Sequence, residues 1–276
     1  MTGGPILTAE GVSRRFDSRG REVLAVRDVS FEVCRGEFFT LVGPSGCGKS
    51  TILNLAAGLL EPTEGLLRYK GEPIRGITGE IGYVTQEDNL FPWRTQQRHI
   101  EFGMEVLDVA ADERGRRAQQ IIERVGLGGF ENHYRHELSG GMRARVNIAR
   151  TLAWHPEVIL MDEPFGPLDV QTRLQLQSLL LDLWQEEQAT VIFITHDLVE
   201  AVSLSDRVMV MTRHPGTVKR VYGVDLPRPR DLFSIQTSPE FRAVYDPLWE
   251  QLQSEMRDDL QAPPAQARAE VGAANG

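Results

Sequence analysis

One stretch decides the fold of this chain, and it reads Gly43-Pro44-Ser45-Gly46-Cys47-Gly48-Lys49-Ser50-Thr51. An apolar run, Glu37 to Val42, precedes it, and a helix-like run, Ile52 to Leu60, follows it. A strand, a glycine-rich loop and a helix in this order form a cradle for phosphate, because the loop N–H groups and the helix N-terminus both face the anion. We expect all nine residues to contact a nucleotide, with the Lys49 ammonium reaching the β- and γ-phosphates and the Ser50 hydroxyl ligating magnesium.

Length and composition narrow the class of protein. The chain has 276 residues, enough for one large domain or for a domain with a smaller one. Its formal net charge of −9 argues against a protein that binds nucleic acid mainly by electrostatic attraction. The two cysteines, Cys34 and Cys47, are too few for a disulfide framework, which favours a reducing compartment. No signal-peptide core or bilayer-length apolar run is present, so we expect a soluble, cytoplasmic protein that reaches membranes only through a partner.

The remaining pattern predicts an α/β fold with two additions. Alternating residues from Ile6 to Val33 predict two or three antiparallel strands, and residues 91–150 have the charged, helix-period pattern of a helical insertion. Continuous apolar runs predict further strands, several of them buried on both faces of a parallel sheet, at Leu66–Tyr69, Ile81–Val84, Val158–Met161, Val191–Ile194 and Arg207–Thr212, the last strand of this unit.

Two carboxylates follow one of the buried strands, in Val158-Ile159-Leu160-Met161-Asp162-Glu163-Pro164. Ligands of parallel sheets bind at the carboxyl ends of the strands. We expect Asp162 to hold magnesium, directly or through water, and Glu163 to orient the water that attacks a phosphate. Taken alone, the pair could equally be surface carboxylates.

A second glycine turn, Leu138-Ser139-Gly140-Gly141-Met142, precedes another predicted helix and is a second candidate anion site. Its position, after the phosphate loop and before Leu160-Met161-Asp162-Glu163-Pro164, resembles the signature of ATP-binding-cassette (ABC) ATPases. The resemblance covers about Leu7 to Thr212. It implies a P-loop NTPase fold of the ABC nucleotide-binding type, with an antiparallel β subdomain and an inserted α-helical subdomain.

The resemblance also implies roles for individual residues. Two chains would sandwich two ATP molecules head to tail, each with Mg²⁺, so that one chain's signature turn contacts the nucleotide held by the other's phosphate loop. Besides Glu163 and Lys49, the implied catalytic residues are His196, which would touch the γ-phosphate, and Gln86, which would join magnesium and water to the helical insertion. Nucleotide contacts are further implied for Phe16 (stacking on adenine, though it could equally be a core residue), Ser139, Gly140, Gly141 and Asp169; metal contacts are implied for Ser50, Gln86 and Asp162.

Three segments narrow the family, of which the first and the last are less specific than the motifs above. They are Phe91-Pro92-Trp93-Arg94-Thr95, Pro164-Phe165-Gly166-Pro167-Leu168-Asp169 and Leu226-Pro227-Arg228-Pro229-Arg230-Asp231. Together they resemble import ATPases of the nitrate, sulfonate and taurine group, whose relatives also carry thiamine-precursor pyrimidines; the last segment could also be only an extended linker. The resemblance implies a second cassette (a homodimer), transmembrane permease subunits, an indirect periplasmic or extracellular substrate-binding protein, no nucleic acid, and a peripheral place on the cytoplasmic side of the membrane.

The sequence pattern and the resemblance together predict the domain boundaries. We expect an ABC ATPase domain over residues 1–232, a helical appendage over 233–260 that packs on it through Phe241, Tyr245, Leu248, Trp249 and Leu252, and a disordered tail over 261–276. The alternative function is a soluble ABC ATPase that acts on nucleic acid, as in DNA repair. Such proteins carry a long coiled-coil insertion, and this sequence has no sustained heptads.

Overall fold

The structure is a computed structural model that describes residues 4–18 and 21–261. The strands of these residues are β1 (Pro5–Ser18), β2 (Arg21–Cys34), β3 (Phe38–Val42), β4 (Glu64–Tyr69), β5 (Glu72–Pro73), β6 (Ile81–Val84), β7 (Val158–Asp162), β8 (Thr190–Ile194), β9 (Arg207–Met211) and β10 (Val218–Gly223). The helices are α1 (Lys49–Ala56), α2 (Gln96–Val106), α3 (Ala111–Arg124), α4 (Gly140–Leu152), α5 (Val170–Glu187), α6 (Leu198–Leu204) and α7 (Pro239–Gln261).

A six-stranded sheet forms the centre of the molecule, in the order β10-β9-β3-β8-β7-β6. Every neighbouring pair from β9 to β6 is parallel. The carboxyl ends of β3, β6, β7 and β8 therefore meet at one edge. Because the phosphate loop, Gln86 and His196 each follow one of these strands and Asp162 is the last residue of another, the sheet topology brings four separate sequence motifs to the same edge.

Both faces of this sheet are buried, as the continuous apolar runs predicted. Phe39 and Leu41 pack with α1 on one face, beneath the second sheet, whereas Phe38 and Phe193 pack on the other face with the helices that precede β7 and with α5. Successive side chains of a strand point to opposite faces, so a strand covered on both sides must be apolar at every position. All five residues of β3 are buried.

The second sheet is antiparallel, in the order β2-β1-β4-β5, and covers α1. The predicted N-terminal strands are its two long members, β1 and β2. Sequence analysis missed β10, which pairs antiparallel with β9 at the edge of the large sheet, so the prediction that Arg207–Thr212 is the last strand was wrong. Its half-exposed sequence, Val218 to Gly223, carries Lys219 and Arg220 and lacks the apolar run by which the buried strands were recognised.

The C-terminal part of the described chain packs around α6. Phe241, Leu248 and Leu252 of α7 are buried, the first two against Leu198 and Val202, while Trp249 remains partly exposed. The Pro-Arg segment is more than a linker, because the buried Arg230 guanidinium donates to the carbonyls of Ser203 and Ser205 at the end of α6, at 3.1 and 2.8 Å. These carbonyls have no partner within the helix.

Among residues 4–18 and 21–261, no helix is long and apolar enough to cross a membrane. Of the predicted tail, residues 262–276 lie outside the described residues.

Candidate functional site

The phosphate loop connects β3 to α1 and is supported from behind by β2. Gly48 has a φ of +91°, and a Cβ atom built on it would lie 2.4 Å from Val26 Cγ1. Gly46 is also left-handed, at +74°, but a Cβ atom there would meet nothing within 4 Å. Gly48 is therefore required both by its backbone conformation and by the close approach of β2, while Gly46 is required by conformation alone.

Lys49, the first residue of α1, points its ammonium group back over the loop. Its Nζ donates to the carbonyl oxygens of Gly43 and Pro44, at 2.8 and 3.0 Å, and the residue is buried. These two carbonyls hold the charge at the mouth of the loop, beside the N–H groups that would receive a phosphate. Cys47 is also buried, and burial raises the pKa of its thiol, so this cysteine packs as a small apolar residue.

A pair of oxygen donors lies beside the loop. Asp162, at the end of β7, is half-buried and hydrogen-bonds to the Ser50 hydroxyl, and Tyr83 donates to its Oδ2 at 3.5 Å. Burial is the largest cause of the raised pKa of the Asp162 carboxyl. A carboxylate and a hydroxyl in contact are the donor set that Mg²⁺ prefers, so the residues present fit a nucleotide-bound magnesium ion.

Glu163 and His196 come together across the edge of the sheet. His196 Nδ1 lies 3.0 Å from Glu163 Oε2, and the imidazole is largely exposed while the Glu163 side chain is 21% exposed. Glu163 has a φ of +44°. This left-handed conformation costs a non-glycine residue on the order of 1 kcal/mol, and its N–H donates to the Ile194 carbonyl at 3.0 Å, which helps to hold it.

The predicted Gln86 lies two residues beyond β6 on the wall of a groove of about 910 Å³. An ion cluster that sequence analysis missed lies on the same wall. Arg135 Nε and Arg143 Nε each lie 2.9 Å from an Asp88 carboxylate oxygen. Although burial opposes it, the hydrogen bond from Arg135 and the charges of both arginines hold the pKa of Asp88 below its usual value.

Sequence spacing gave no signal for this cluster, because Asp88 precedes the helical region whereas Arg135 and Arg143 lie near its end. Only the packing of that region against β6 brings the three side chains together. An aromatic pair follows directly along the chain: the ring of Trp93, which is 71% exposed, is stacked on that of the half-buried Phe91 at 5.3 Å.

The signature turn and Asp169 line a different pocket, of about 470 Å³. Ser139 Oγ accepts from the Met142 N–H at 3.3 Å and caps α4, and Asp169 Oδ1 accepts from the Thr172 N–H at 3.0 Å and caps α5. A Cβ atom on Gly141 would lie 2.7 Å from Thr172 Cγ2, so the two helix starts are in contact. Ser139, Gly140 and Asp169 are exposed, and both helices direct their N-termini to this surface.

Phe16 lies near the end of β1, where it pairs with Val23 of β2. The residue is half-buried, and the Arg14 guanidinium lies 4.8 Å from the ring centroid. Further along β2, Val26 and the Ala25 carbonyl contact the phosphate loop at Gly48. Phe16 is therefore carried on the same hairpin that supports the loop.

Comparison with known proteins places this chain in a family. The family model described as "ABC transporter" matches residues 26–166, about half of the chain. The nitrate import ATP-binding protein NrtD of Synechocystis is 39% identical over 256 residues, which cover 91% of this chain and 96% of that protein. The aliphatic sulfonates import ATP-binding protein SsuB of Bacillus licheniformis is 42% identical over 231 residues, 84% and 88% of the two chains.

A solved structure agrees with the sequence comparisons. The dimeric, post-hydrolysis structure of the ATP-binding cassette MJ0796, bound to ADP and Pi, superposes with a TM-score of 0.71 at 30% identity, and covers 80% of this chain and all of that one. The predicted fold, an ABC-type cassette with two sheets and helices, is therefore confirmed. The chain belongs to the ABC transporter family, and it is one of the family's ATP-binding, ATP-hydrolysing cassettes.

Proposed function

We propose that residues 43–51 hold the phosphates of ATP while the residues at the ends of β6, β7 and β8 carry out its hydrolysis. Glu163 orients the attacking water, and His196, in contact with Glu163, holds the γ-phosphate in line. A carboxylate is a weak base at neutral pH, so positioning of the water is its main contribution. The contact of His196 with Glu163 is the observation that carries this assignment.

Magnesium is proposed at the Ser50–Asp162 pair, with Gln86 as a further ligand. The ion neutralises charge on the β- and γ-phosphate oxygens when it is bound. The Ser50 hydroxyl and the Asp162 carboxylate are already in contact at the loop, which supports the proposal. Gln86 lies at the end of β6, next to β7 in the sheet, and so connects this pair to the groove beside the helices.

A second copy of the chain completes each site in this proposal. The signature turn (Ser139, Gly140 and Gly141) and Asp169 form one exposed surface on which two capped helices start. Such a surface suits an anion that arrives from outside the chain, since the N–H groups of both helix starts face outward. The γ-phosphate on the partner's phosphate loop would fill it. Phe16 is proposed to stack on the adenine of the chain's own ATP.

The work of the cassette is proposed to be import. The groove around Gln86 and Asp88, with the exposed Trp93 a few residues further along the chain, is the surface where permease subunits would dock. Closure of the two cassettes would then move the permease between its inward- and outward-facing states. The proposed cargo is a small solute of the nitrate, sulfonate or taurine type, or a pyrimidine precursor, delivered by a substrate-binding protein. The names of two relatives, a nitrate and an aliphatic sulfonates import ATP-binding protein, support the first two of these solute classes.

The proposed arrangement is an ATPase domain over residues 1–232 with a helical subdomain at about 91–150 and an appendage over 233–260. The cassette would be peripheral on the cytoplasmic side of the membrane, held there by the permease. Three described helices support the subdomain: α2, α3 and α4 lie between β6 and β7, and their apolar residues form one cluster, which also includes residues of α5.

The test is to purify the tagged, full-length chain from detergent-solubilised membranes of its own cells and to identify what accompanies it. We expect multi-spanning membrane proteins, in a complex whose ATP turnover is lost in Glu163→Gln. Trp93→Ala should reduce the recovery of these proteins, and the matched control Phe233→Ala, an exposed aromatic at 66%, should not. Recovery with DNA at moderate salt, and without membrane proteins, would overturn the transport proposal.

A further inference from the structure

Glu200 is a buried carboxyl that none of the proposed roles uses. It lies on α6, one turn after His196, and is 6% exposed. The Gln177 amide on α5 donates from Nε2 to Glu200 Oε1 at 2.6 Å. Burial of an acid is unfavourable unless hydrogen bonds compensate, so a carboxyl at this position needs a reason beyond packing.

The carboxyl is joined to the turn that carries His196. Thr195 and Glu200 line one small cavity, where the Thr195 hydroxyl lowers the pKa of the Glu200 carboxyl, and Thr195 Oγ1 accepts from the Asp197 N–H at 2.9 Å. Asp197 Oδ1 in turn accepts from the Glu200 N–H at 3.2 Å. A hydroxyl has one proton to donate and lone pairs to accept with. When it donates to Glu200, its oxygen is free to accept from Asp197, and both residues that flank His196 are then fixed by one connected network.

A second link ties this turn to the loop after Glu163. Arg173 on α5 donates from one terminal nitrogen to the Leu168 carbonyl at 2.9 Å, and its other terminal nitrogen lies 3.6 Å from Asp197 Oδ2. Arg173 and Glu200 line the same small cavity as Glu163 and His196. The contacts of Glu200, Thr195, Asp197 and Arg173 therefore lie next to the Glu163 and His196 side chains, which meet at the carboxyl edge of the sheet.

We propose that Glu200 is a positioning residue: in its ionised form it accepts from Thr195 and Gln177, and so holds the turn that places His196 against Glu163. This inference rests on the proposed roles of His196 and Glu163. A protonated Glu200 would present a hydroxyl donor to Thr195, which needs an acceptor there. The Thr195 hydroxyl could then no longer donate to Glu200 while its oxygen accepts from the Asp197 N–H.

Charge at this position should therefore change turnover near neutral pH. Burial raises the pKa of Glu200 to about 7, against the hydrogen bonds from Thr195 and Gln177. The charged groups that face it are Asp197, which raises this pKa, and Arg173, which lowers it. Glu163 and His196 line the same cavity and are present both in the natural protein and in Glu200→Gln.

The experiment measures kcat and KM for ATP from pH 6 to pH 8.5 in the full-length dimer, with and without Glu200→Gln. Glutamine keeps the size and one acceptor but cannot ionise. We expect equal kcat at pH 6 and a natural protein about fivefold faster at pH 8.5, with KM unchanged within twofold, since one charge-assisted hydrogen bond is at stake. A ratio of kcat values that stays constant across this range would overturn the proposal.

Further variants separate a positioning role from a structural one. Thr195→Val, which removes the hydroxyl, should lower kcat at pH 8.5 like Glu200→Gln, and Thr195→Ser should restore it. Glu37→Gln is the matched control, because Glu37 is a fully buried acid paired with Arg207 at the opposite edge of the same sheet. Its kcat should follow the pH profile of the natural protein; a profile that instead matches Glu200→Gln would overturn the proposal.

His196→Ala distinguishes failure of this inference from failure of the proposed site. If His196→Ala abolishes turnover while the Glu200 and Thr195 variants leave kcat unchanged at every pH, only the positioning role is wrong. If His196→Ala itself turns over normally, the site assignment is wrong as well.

Discussion

His196 Nδ1 and Glu163 Oε2 lie 3.0 Å apart because β7 and β8 are parallel neighbours in register, with Asp162 opposite Ile194. Glu163 comes one residue after Asp162, and His196 comes two residues after Ile194, so both lie at the carboxyl edge of the sheet. Strand order and register thus bring two residues separated by more than thirty positions to neighbouring places at the carboxyl edge of the sheet.

The first prediction concerns His196. We expect His196→Ala to lower ATP turnover by about a hundredfold or more, because positioned proton- and phosphate-contacting groups contribute on that scale. Steady-state phosphate release measures it. The matched control is His155→Ala, since His155 Nδ1 lies 2.8 Å from Glu187 Oε2 in a similar pair away from the sheet edge. Equal losses in the two variants would show that the effect is not specific to the site.

The second prediction concerns Lys49. Removing its ammonium with Lys49→Gln should weaken ATP binding at least tenfold, because one charge-assisted contact to a phosphate is worth about 1.5–3 kcal/mol. Equilibrium titration with a fluorescent ATP analogue measures the affinity. Lys70→Gln serves as control, since Lys70 pairs with Glu80 and Glu157 on the surface. An affinity unchanged in Lys49→Gln would rule out the proposed phosphate contact.

A third prediction distinguishes two reasons why the phosphate loop needs glycine, namely its backbone conformation and a close neighbouring side chain. Gly46→Ala and Gly48→Ala both place a side chain at positive φ, but only the second puts a Cβ atom 2.4 Å from Val26 Cγ1. We expect Gly46→Ala to cost about 1 kcal/mol of stability and Gly48→Ala clearly more, with loss of ATP binding. Thermal unfolding and ATP titration measure the two effects. Similar melting temperatures for the two variants would contradict the role assigned to β2.

The predictable parts of the fold are those that depend on local pattern. The phosphate loop, the buried strands β3, β7 and β8, and the helical region between β6 and β7 were all recognisable from glycines and apolar runs. β10 was not, because an edge strand with one exposed face has no continuous apolar run. The cluster of Asp88, Arg135 and Arg143 was not either, because it forms only when the helical region packs.

The sequence of α6 contains a signal for the buried Glu200 carboxyl that the predictions from sequence did not use. It is the one charged residue in α6, whose sequence Leu-Val-Glu-Ala-Val-Ser-Leu is otherwise apolar apart from a serine. A lone acid within an apolar helix indicates a buried carboxyl and therefore a network of partners. Its partners, Gln177 and Thr195, lie on different elements and could be identified only from the structure.

A fourth prediction follows from the burial of this carboxyl. Burial raises the pKa of Glu200 to about 7 in the folded protein, against about 4.3 in an unfolded chain. The folded state therefore binds the proton more tightly, and the free energy of unfolding that this group contributes falls as pH rises from about 4 to about 7. Glutamine does not titrate, so Glu200→Gln removes this pH-dependent loss of stability.

We therefore expect Glu200→Gln to gain stability relative to the natural protein between pH 5 and pH 8, by up to about 3 kcal/mol. Melting temperatures of both proteins at the two pH values measure this gain. A difference between the proteins that is the same at pH 5 and pH 8 would show that Glu200 does not titrate in this interval.

The most direct test of the proposed site is the turnover and oligomeric state of Glu163→Gln in ATP and Mg²⁺. Glutamine keeps the shape of Glu163 but cannot orient water through a carboxylate, so we expect turnover to fall by roughly a hundredfold or more. ATP should then accumulate between two chains, and size-exclusion chromatography with light scattering should show an ATP-dependent dimer. Glu157→Gln, at the opposite end of β7, is the control and should turn over normally. If Glu163→Gln hydrolyses ATP within twofold of the natural protein, Glu163 does not position the water and the proposed site is wrong.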